Sequence, residues 1–228
     1  MKKLFLILIL SFILLPAIAQ KLTKITLQNN GDFDRISFEL DESVVVHISK
    51  DGKIANWGVD IYKGRDDNYN DRMEEFTGKT GYFGPTDDSA HRGKLKFIGR
   101  TYFTYYASYE DELLKGKIKS IGNTNMDYYR AYENEAYRGN IKNVGSLNFS
   151  WYGTQDNEGF RGKLKTAGTS SLNYYTSFDD KAFRGKIKSI DRATYTYYSS
   201  FDRAEFRGTF KTGAQTVIAN GIKYCIRW

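Results

Sequence analysis

From Gly93 onward, apolar and polar positions follow one rule that restarts at a fixed interval. A Gly preceded by Arg or Lys recurs at Gly93, Gly116, Gly139, Gly162, Gly185 and Gly208, each twenty-three residues after the last. We number each unit from the residue two places before that Gly. One unit then reads Phe183-Arg184-Gly185-Lys186-Ile187-Lys188-Ser189-Ile190, a short turn, Thr194 to Tyr198, and Ser200-Phe201-Asp202. Two extended runs per unit predict two strands, joined by a tight turn near position 9 and by a longer Asp-containing loop after position 18. Gly99, Gly122, Gly145 and Gly168 occupy the tight turn, and Asp191 replaces Gly in the fifth unit. Such a period signals stacked supersecondary units rather than one continuous globular core.

Side chains alternate faces along a strand, so parity sorts each unit into two surfaces. Odd positions carry Leu95, Ile118, Ile141, Leu164 and Ile187 on the first strand. On the second strand they carry Phe103, Met126, Phe149, Leu172 and Tyr195, then Tyr105, Tyr128, Trp151, Tyr174 and Tyr197. This is the predicted packed face. Even positions carry Lys96, Lys119, Lys142, Lys165, Lys188 and Lys211, with Lys94, Lys117, Lys163 and Lys186 beside them. Tyr106, Tyr129, Tyr152, Tyr175 and Tyr198 fall on the same basic side. Position 8 (Ile98, Ile121, Val144, Ala167, Ile190) sets an apolar residue among these lysines, and a β-bulge before the turn returns it to the core.

In the flanks, Leu22 to Leu27, Arg35 to Leu40 and Val44 to Ser49 read as strands, and Lys50-Asp51-Gly52-Lys53 is a hairpin turn returning through Ile54 to Tyr62. Residues 20–62 are thus an N-terminal β region. Residues 63–89 are rich in turn formers and read as a polar linker with an irregular first cap. Residues 90–213 form the array, and residues 214–228 form a hairpin on Asn220-Gly221 that is expected to cover the exposed end of the array sheet. The predicted fold class is all-β, an antiparallel meander of hairpin repeats forming an elongated twisted sheet. The competing architecture, a parallel β-helix with one coil per repeat, suits compact aliphatic ladders better than stacked Tyr and Trp.

Composition supports strands, since 18 Tyr and 15 Phe stand against three Met in 228 residues. Lys2-Lys3, the apolar run Leu4 to Leu15 and Ala17-Ile18-Ala19 read as a secretory signal peptide over residues 1–19. No transmembrane segment is expected after its cleavage. The single cysteine, Cys225, has no internal disulfide partner and reads as a buried structural thiol. The net charge of +7 is concentrated in the array, where basic residues outnumber acidic ones.

Catalytic chemistry needs a few unlike residues held at one place. His47 lies in an apolar strand and reads as structural, and His91 occupies a slot that carries an aromatic in later units. One Cys without paired His excludes the usual zinc spacings. Asp66, Asp67, Asp71 and the pair Asp87-Asp88 offer oxygen ligands but no EF-hand spacing. No phosphate-binding Gly loop or Gly-x-Ser-x-Gly elbow occurs. No catalytic residue, metal or cofactor is therefore assigned, and nucleic acid is not expected as a partner. The candidate binding residues are Lys96, Lys119, Lys142, Lys165 and Lys188 with Tyr106, Tyr129, Tyr152, Tyr175 and Tyr198. Ammonium groups beside phenol rings suit an anionic glycan or lipid surface. Alternatively, the Lys stems lie over the rings and keep one sheet face solvated, with Glu110, Glu133, Asp156, Asp179 and Asp202 partly neutralising them.

Phe183-Arg184-Gly185 and Thr194-Tyr195-Thr196-Tyr197, with the next copy at Phe206-Arg207-Gly208, resemble MORN repeats. Tyr197-Tyr198 through Phe201-Asp202 to Gly208 also resembles the tyrosine-aspartate repeats of bacterial surface proteins. Either resemblance covers residues 90–213, and the likeness to MORN repeats implies the shape alone, an elongated twisted sheet. The whole chain is similar to exported repeat proteins of Bacteroidetes-type bacteria, which implies the periplasm or outer surface of a Gram-negative cell. The expected function is a non-catalytic structural or protein-interaction module whose partner is a protein or an envelope polymer. A binding module for anionic glycan or lipid comes second, and a hydrolase with paired carboxylates outside the array, around residues 60–88, comes third.

Overall fold

The computed structural model describes residues 21–60 and 73–227. The signal-peptide reading of residues 1–19, the strand end at Tyr62 and the candidate ligands Asp66, Asp67 and Asp71 lie outside the described residues. Four N-terminal strands come first: β1 (Lys21–Gln28), β2 (Phe33–Glu39), β3 (Val44–Ser49) and β4 (Ile54–Val59). β5 (Thr80–Tyr82) precedes the complete units, which supply β6 (Leu95–Ile98), β7 (Thr101–Tyr105), β8 (Ile118–Ile121), β9 (Thr124–Tyr128), β10 (Ile141–Val144) and β11 (Leu147–Trp151). β12 (Leu164–Ala167), β13 (Ser170–Tyr174) and β14 (Ile187–Ile190) follow, and then β15 (Ala193–Thr194) and β16 (Thr196–Tyr197), which flank a break at Tyr195. β17 (Phe210–Thr212), β18 (Thr216–Ala219) and β19 (Ile222–Arg227) complete the chain.

The array is an antiparallel meander: β5 to β15 pair strictly in chain order in an 11-stranded sheet, and β16 pairs with β17. Pairing in chain order with reversed neighbours is the hairpin arrangement, not the coil of a β-helix. The predicted bulge is present. Tyr105 pairs with Ile118 while Thr104 pairs with Ser120, so Lys119 is the extra residue, and the same shift recurs in the other units. Inserting one residue reverses the parity that follows it. Ile118 and Ile121 therefore both point into the core, although three residues separate them. Asp191 takes the tight-turn place of Gly with φ of 48°, and its carboxylate accepts from Ser171 N at 2.7 Å, which offsets the cost of that conformation.

The C-terminal hairpin does not cover the end of the array, as its sequence position implies, but joins the N-terminal strands. The second sheet has the order β18-β19-β1-β2-β3-β4, with β19 parallel to β1 and Ile25 opposite Tyr224. A parallel neighbour requires a crossover connection, and here the whole array is that connection.

The two sheets bury one shared core. Ile25, Ile36, Phe38, Val46 and Ile48 from one sheet and Ile118, Tyr128, Phe149, Leu164 and Ile187 from the other belong to a single cluster. Phe33 meets Trp151 edge-on at 5.3 Å between them. Within this core the position-15 ring of four units donates back to its own unit: Tyr105 Oη to Leu95 O at 2.8 Å, Tyr128 Oη to Ile118 O at 2.7 Å, Tyr174 Oη to Leu164 O at 2.8 Å and Trp151 Nε1 to Ile141 O at 2.8 Å, whereas the buried Tyr197 Oη makes no such bond. In those four units Tyr or Trp serves better than Phe, because a buried carbonyl beside the bulge needs a donor.

Two turns of the flanking sheet dock against the first-strand ends of the array. Gly52 O accepts from Ile118 N at 3.0 Å and Lys50 O from Ile141 N at 2.8 Å. In the next unit, Lys163 Nζ donates to Asn30 O at 2.6 Å and pairs with Asp32 at 3.0 Å. The amides of Ile118 and Ile141, which sit at the bulges of two units, are thereby satisfied by the neighbouring sheet.

His47 is a structural residue, as its strand context predicts: it is 1% exposed, with Nδ1 2.8 Å from Ser37 Oγ. Burial first, and then the charges of Arg35, Lys24 and Arg227, push its pKa down to about 3. Because the folded value lies below the ordinary 6.5, the unfolded chain takes up the proton first. The stabilisation is complete above that ordinary value and is lost as pH falls from it towards the folded one. We expect about 2–3 kcal/mol less stability at about pH 4.5 than at pH 7 from this residue. Urea unfolding of wild type and His47→Leu measures it: the variant should lose most of the difference, and equal slopes in both proteins would refute the assignment.

Candidate binding surface

Each position-6 lysine reaches across to the ring at position 16 of the unit before it. Lys119 Nζ lies 5.1 Å from the Tyr106 ring centre, Lys142 5.1 Å from Tyr129, Lys165 5.1 Å from Tyr152 and Lys188 5.4 Å from Tyr175. The bulge causes this, since it turns position 6 outward beside the end of the neighbouring strand. Eight of the ten candidate residues thus meet in four pairs. Lys96 lies instead over Phe83, which stands at position 16 of the irregular first unit, and Tyr198 pairs with Lys211.

These tyrosines are not free phenols. Tyr129 Oη donates to Phe149 O at 2.8 Å, Tyr152 Oη to Leu172 O at 3.0 Å and Tyr175 Oη to Tyr195 O at 2.9 Å, each into the next unit. Tyr106 donates to Met126 O at 3.2 Å and is buried, and that burial, with Asp127 beside it, pushes its pKa up to about 12. Parity placed these rings on the open basic side, whereas the structure uses them as cross-links between adjacent units, each roofed by an ammonium. Of the acidic residues at position 20, Glu110 pairs with Lys119 at 2.7 Å and Glu133 with Lys142 at 3.0 Å.

The position-4 lysines leave the basic face altogether. Lys117 is 8% exposed, lies 5.1 Å from the Tyr128 ring centre and donates to Gly139 O at 2.6 Å. Lys163 does the same to Gly185 O at 2.8 Å, and Lys94 donates to Gly116 O. Burial lowers the pKa of Lys94, Lys117 and Lys186. The left-handed glycine at position 3 explains the change of side: Gly116 has φ of 73°, which redirects the chain before position 4 and breaks the parity count.

A second construction went unread in the sequence. In the loop after position 18, the position-20 carboxylate accepts from the backbone amide at position 17, as in Asp156 to Gly153 N and Asp179 to Thr176 N, both at 2.6 Å. Position 21 then ties loop to loop. Asn157 Oδ1 accepts from Ser177 N at 2.8 Å, Asp180 from Ser200 N at 3.0 Å, Asn134 from Thr154 N at 3.2 Å and Asp88 from Ser108 N at 3.1 Å. The signal was available as Asp or Asn recurring at position 21 with Ser or Thr at position 18. Bonds within the loops hold the carboxylates of Asp179 and Asp180 below the usual carboxylate range.

Off the array, a cavity of about 360 Å³ is lined by Trp57, Met73, Glu74, Glu75, Phe76, Thr80 and Tyr82. A cleft of about 610 Å³ beside β4 is walled by Trp57, Tyr82 and Tyr105, with Lys53 and Lys94 at its rim. Among the described residues no group of His, Cys, Asp and Glu is disposed to hold a metal ion. No helix among them is long and apolar enough to cross a membrane. Comparison with protein-family models, with characterised proteins and with solved structures finds no match to this chain.

Proposed function

We propose that the protein is a non-catalytic structural or protein-interaction module, exported to the periplasm or outer surface of a Gram-negative cell. One observation carries this reading: the side chains repeated most faithfully brace unit against unit. Lysines roof tyrosines, tyrosine hydroxyls cross to the next unit, and loop carboxylates cap backbone amides. Repetition of bracing groups makes a stiff surface of constant shape, which suits a scaffold. Photo-crosslinkers placed along the exposed sheet face in the native envelope are expected to give discrete, position-dependent protein adducts. Their absence at every position would sink the reading.

A second reading, attachment to an anionic glycan or lipid, is favoured by the exposure that Lys96, Lys119, Lys165 and Lys188 retain. Sedimentation with phosphatidylglycerol vesicles at low and high salt separates the two. Salt-sensitive binding that disappears when these lysines and Lys142 are changed to Gln replaces the first reading with the second.

A further inference from the structure

The loop edge carries a feature that the bracing does not use. Tyr109, Tyr132, Phe178 and Phe201 occupy position 19 of four units and are 86%, 87%, 92% and 95% exposed. Their rings take no part in the hydrophobic cluster, although neighbouring rings at positions 1, 15 and 16 pack into or against it. Water-exposed rings of this size gain nothing for folding. The third unit supplies the control, because Gln155 fills the same position there and the loop keeps its caps and its ties to both neighbours. The fold therefore accepts a polar residue at position 19.

The rings stand on a rigid base. Asn157, Asp180 and Asn134 tie successive loops, and the Nε groups of Arg161, Arg184 and Arg207 donate to the position-20 carbonyls at 3.0, 3.0 and 2.9 Å. Two strands per unit set rings of adjacent units roughly 10 Å apart, and Gln155 leaves a gap of roughly 20 Å between Tyr132 and Phe178. We propose that this edge binds a neutral, linear polysaccharide, each exposed ring stacking on the C–H face of a sugar. Pyranose faces are apolar and flat, which suits stacking on exposed rings, and the guanidinium groups of Arg161, Arg184 and Arg207, fixed to the same loops through Nε, supply further donors for sugar hydroxyls. Charge selects neutrality, since acidic side chains such as Glu112, Glu135 and Glu158 offset the arginines along this edge and repel a polyanion. Two pairs of rings held in one register, Tyr109 with Tyr132 and Phe178 with Phe201, suit a periodic polymer that can span the ringless third unit better than they suit the irregular surface of a protein.

Affinity electrophoresis of the mature chain through gels containing hydroxyethyl cellulose, xylan, glucomannan or laminarin tests this. Retardation by at least one of them is expected. Replacing Tyr109, Tyr132, Phe178 and Phe201 together by Gln should weaken it about 100-fold, and Phe178→Gln alone by several-fold, because the sites act multivalently. The thermal midpoint should not move, which shows that lost binding is not lost folding. Absence of retardation in every neutral glycan overturns the proposal, as does retardation unchanged in the fourfold variant or confined to heparin and polygalacturonate. Protein adducts in the crosslinking experiment are independent of this result, so the scaffold reading and the glycan site fail separately.

Discussion

Truncation after Gly213 is expected to abolish cooperative folding of the entire chain, not only of its last hairpin. A hairpin that merely capped an array would fray with little consequence for distant units. Here β18 and β19 are two of the six strands of the second sheet, and β19 lies between β18 and β1. Ile222, Tyr224, Cys225 and Ile226 are buried to between 0% and 7% exposure. At roughly 1.5–3 kcal/mol for each large apolar side chain, their removal costs on the order of 10 kcal/mol. That is comparable to the whole stability of an ordinary domain, about 5–15 kcal/mol. The cut also exposes β1 as an edge with unpaired amides and carbonyls, which invites aggregation. Asn220, at the tip of the hairpin, donates to Ser170 Oγ at 2.9 Å and to Asp191 at 3.1 Å, so contact with the array is lost as well. Circular dichroism melting and size-exclusion chromatography measure the outcome. A truncated chain that stays monomeric and melts sharply near the wild-type midpoint would remove β19 from its central place.

Gly52→Val is expected to destabilise the protein by about 3–5 kcal/mol, combining backbone strain with overpacking. Gly52 has φ of 78°, in the region that a β-branched residue adopts only with strain. A Cβ at this position falls 2.2 Å from Tyr128 Oη and 2.4 Å from Tyr128 Cζ. The ring has no room to retreat, because Tyr128 is 0% exposed and its hydroxyl is bonded to Ile118 O at 2.7 Å. Gly52 O accepts the Ile118 amide at 3.0 Å, so a displaced turn also leaves a bulge amide unpaired in the core. Gly221→Val is the matched control. It has φ of 80° with nothing within 4 Å of its Cβ, and should cost only about 1–2 kcal/mol. Denaturant unfolding compares the two. Equal losses would mean that docking of this turn on Tyr128 contributes nothing beyond backbone conformation.

Much of the array was legible because its causes are local. The strand pair, the Gly-bearing tight turn and the inward rings at positions 13 and 15 follow from alternation and turn chemistry within one unit. Even the bulge was readable, since an apolar residue at position 8 conflicts with parity and a single inserted residue resolves the conflict. Parity misplaced the position-4 lysines and the role of the position-16 tyrosines. Lys117 turns inward after a left-handed glycine, and Tyr129 reaches a carbonyl in a different unit. Neither is visible from one unit written as an alternating string. The bond between Asp180 and Ser200 likewise joins residues on adjacent loops.

The repeating chain by itself dictates a ribbon of hairpins with one oily side and one cationic side, because nearest-neighbour geometry suffices for that. What lies on the oily side was decided only in three dimensions. Nothing in residues 20–62 or 214–228 states that the two ends of the chain pair in parallel and together roof the array. That choice rests on matching Ile25 with Tyr224 and on fitting the turns at Gly31 and Gly52 between tyrosines of distant units. Such contacts span nearly the whole length of the chain, where no periodicity reports them.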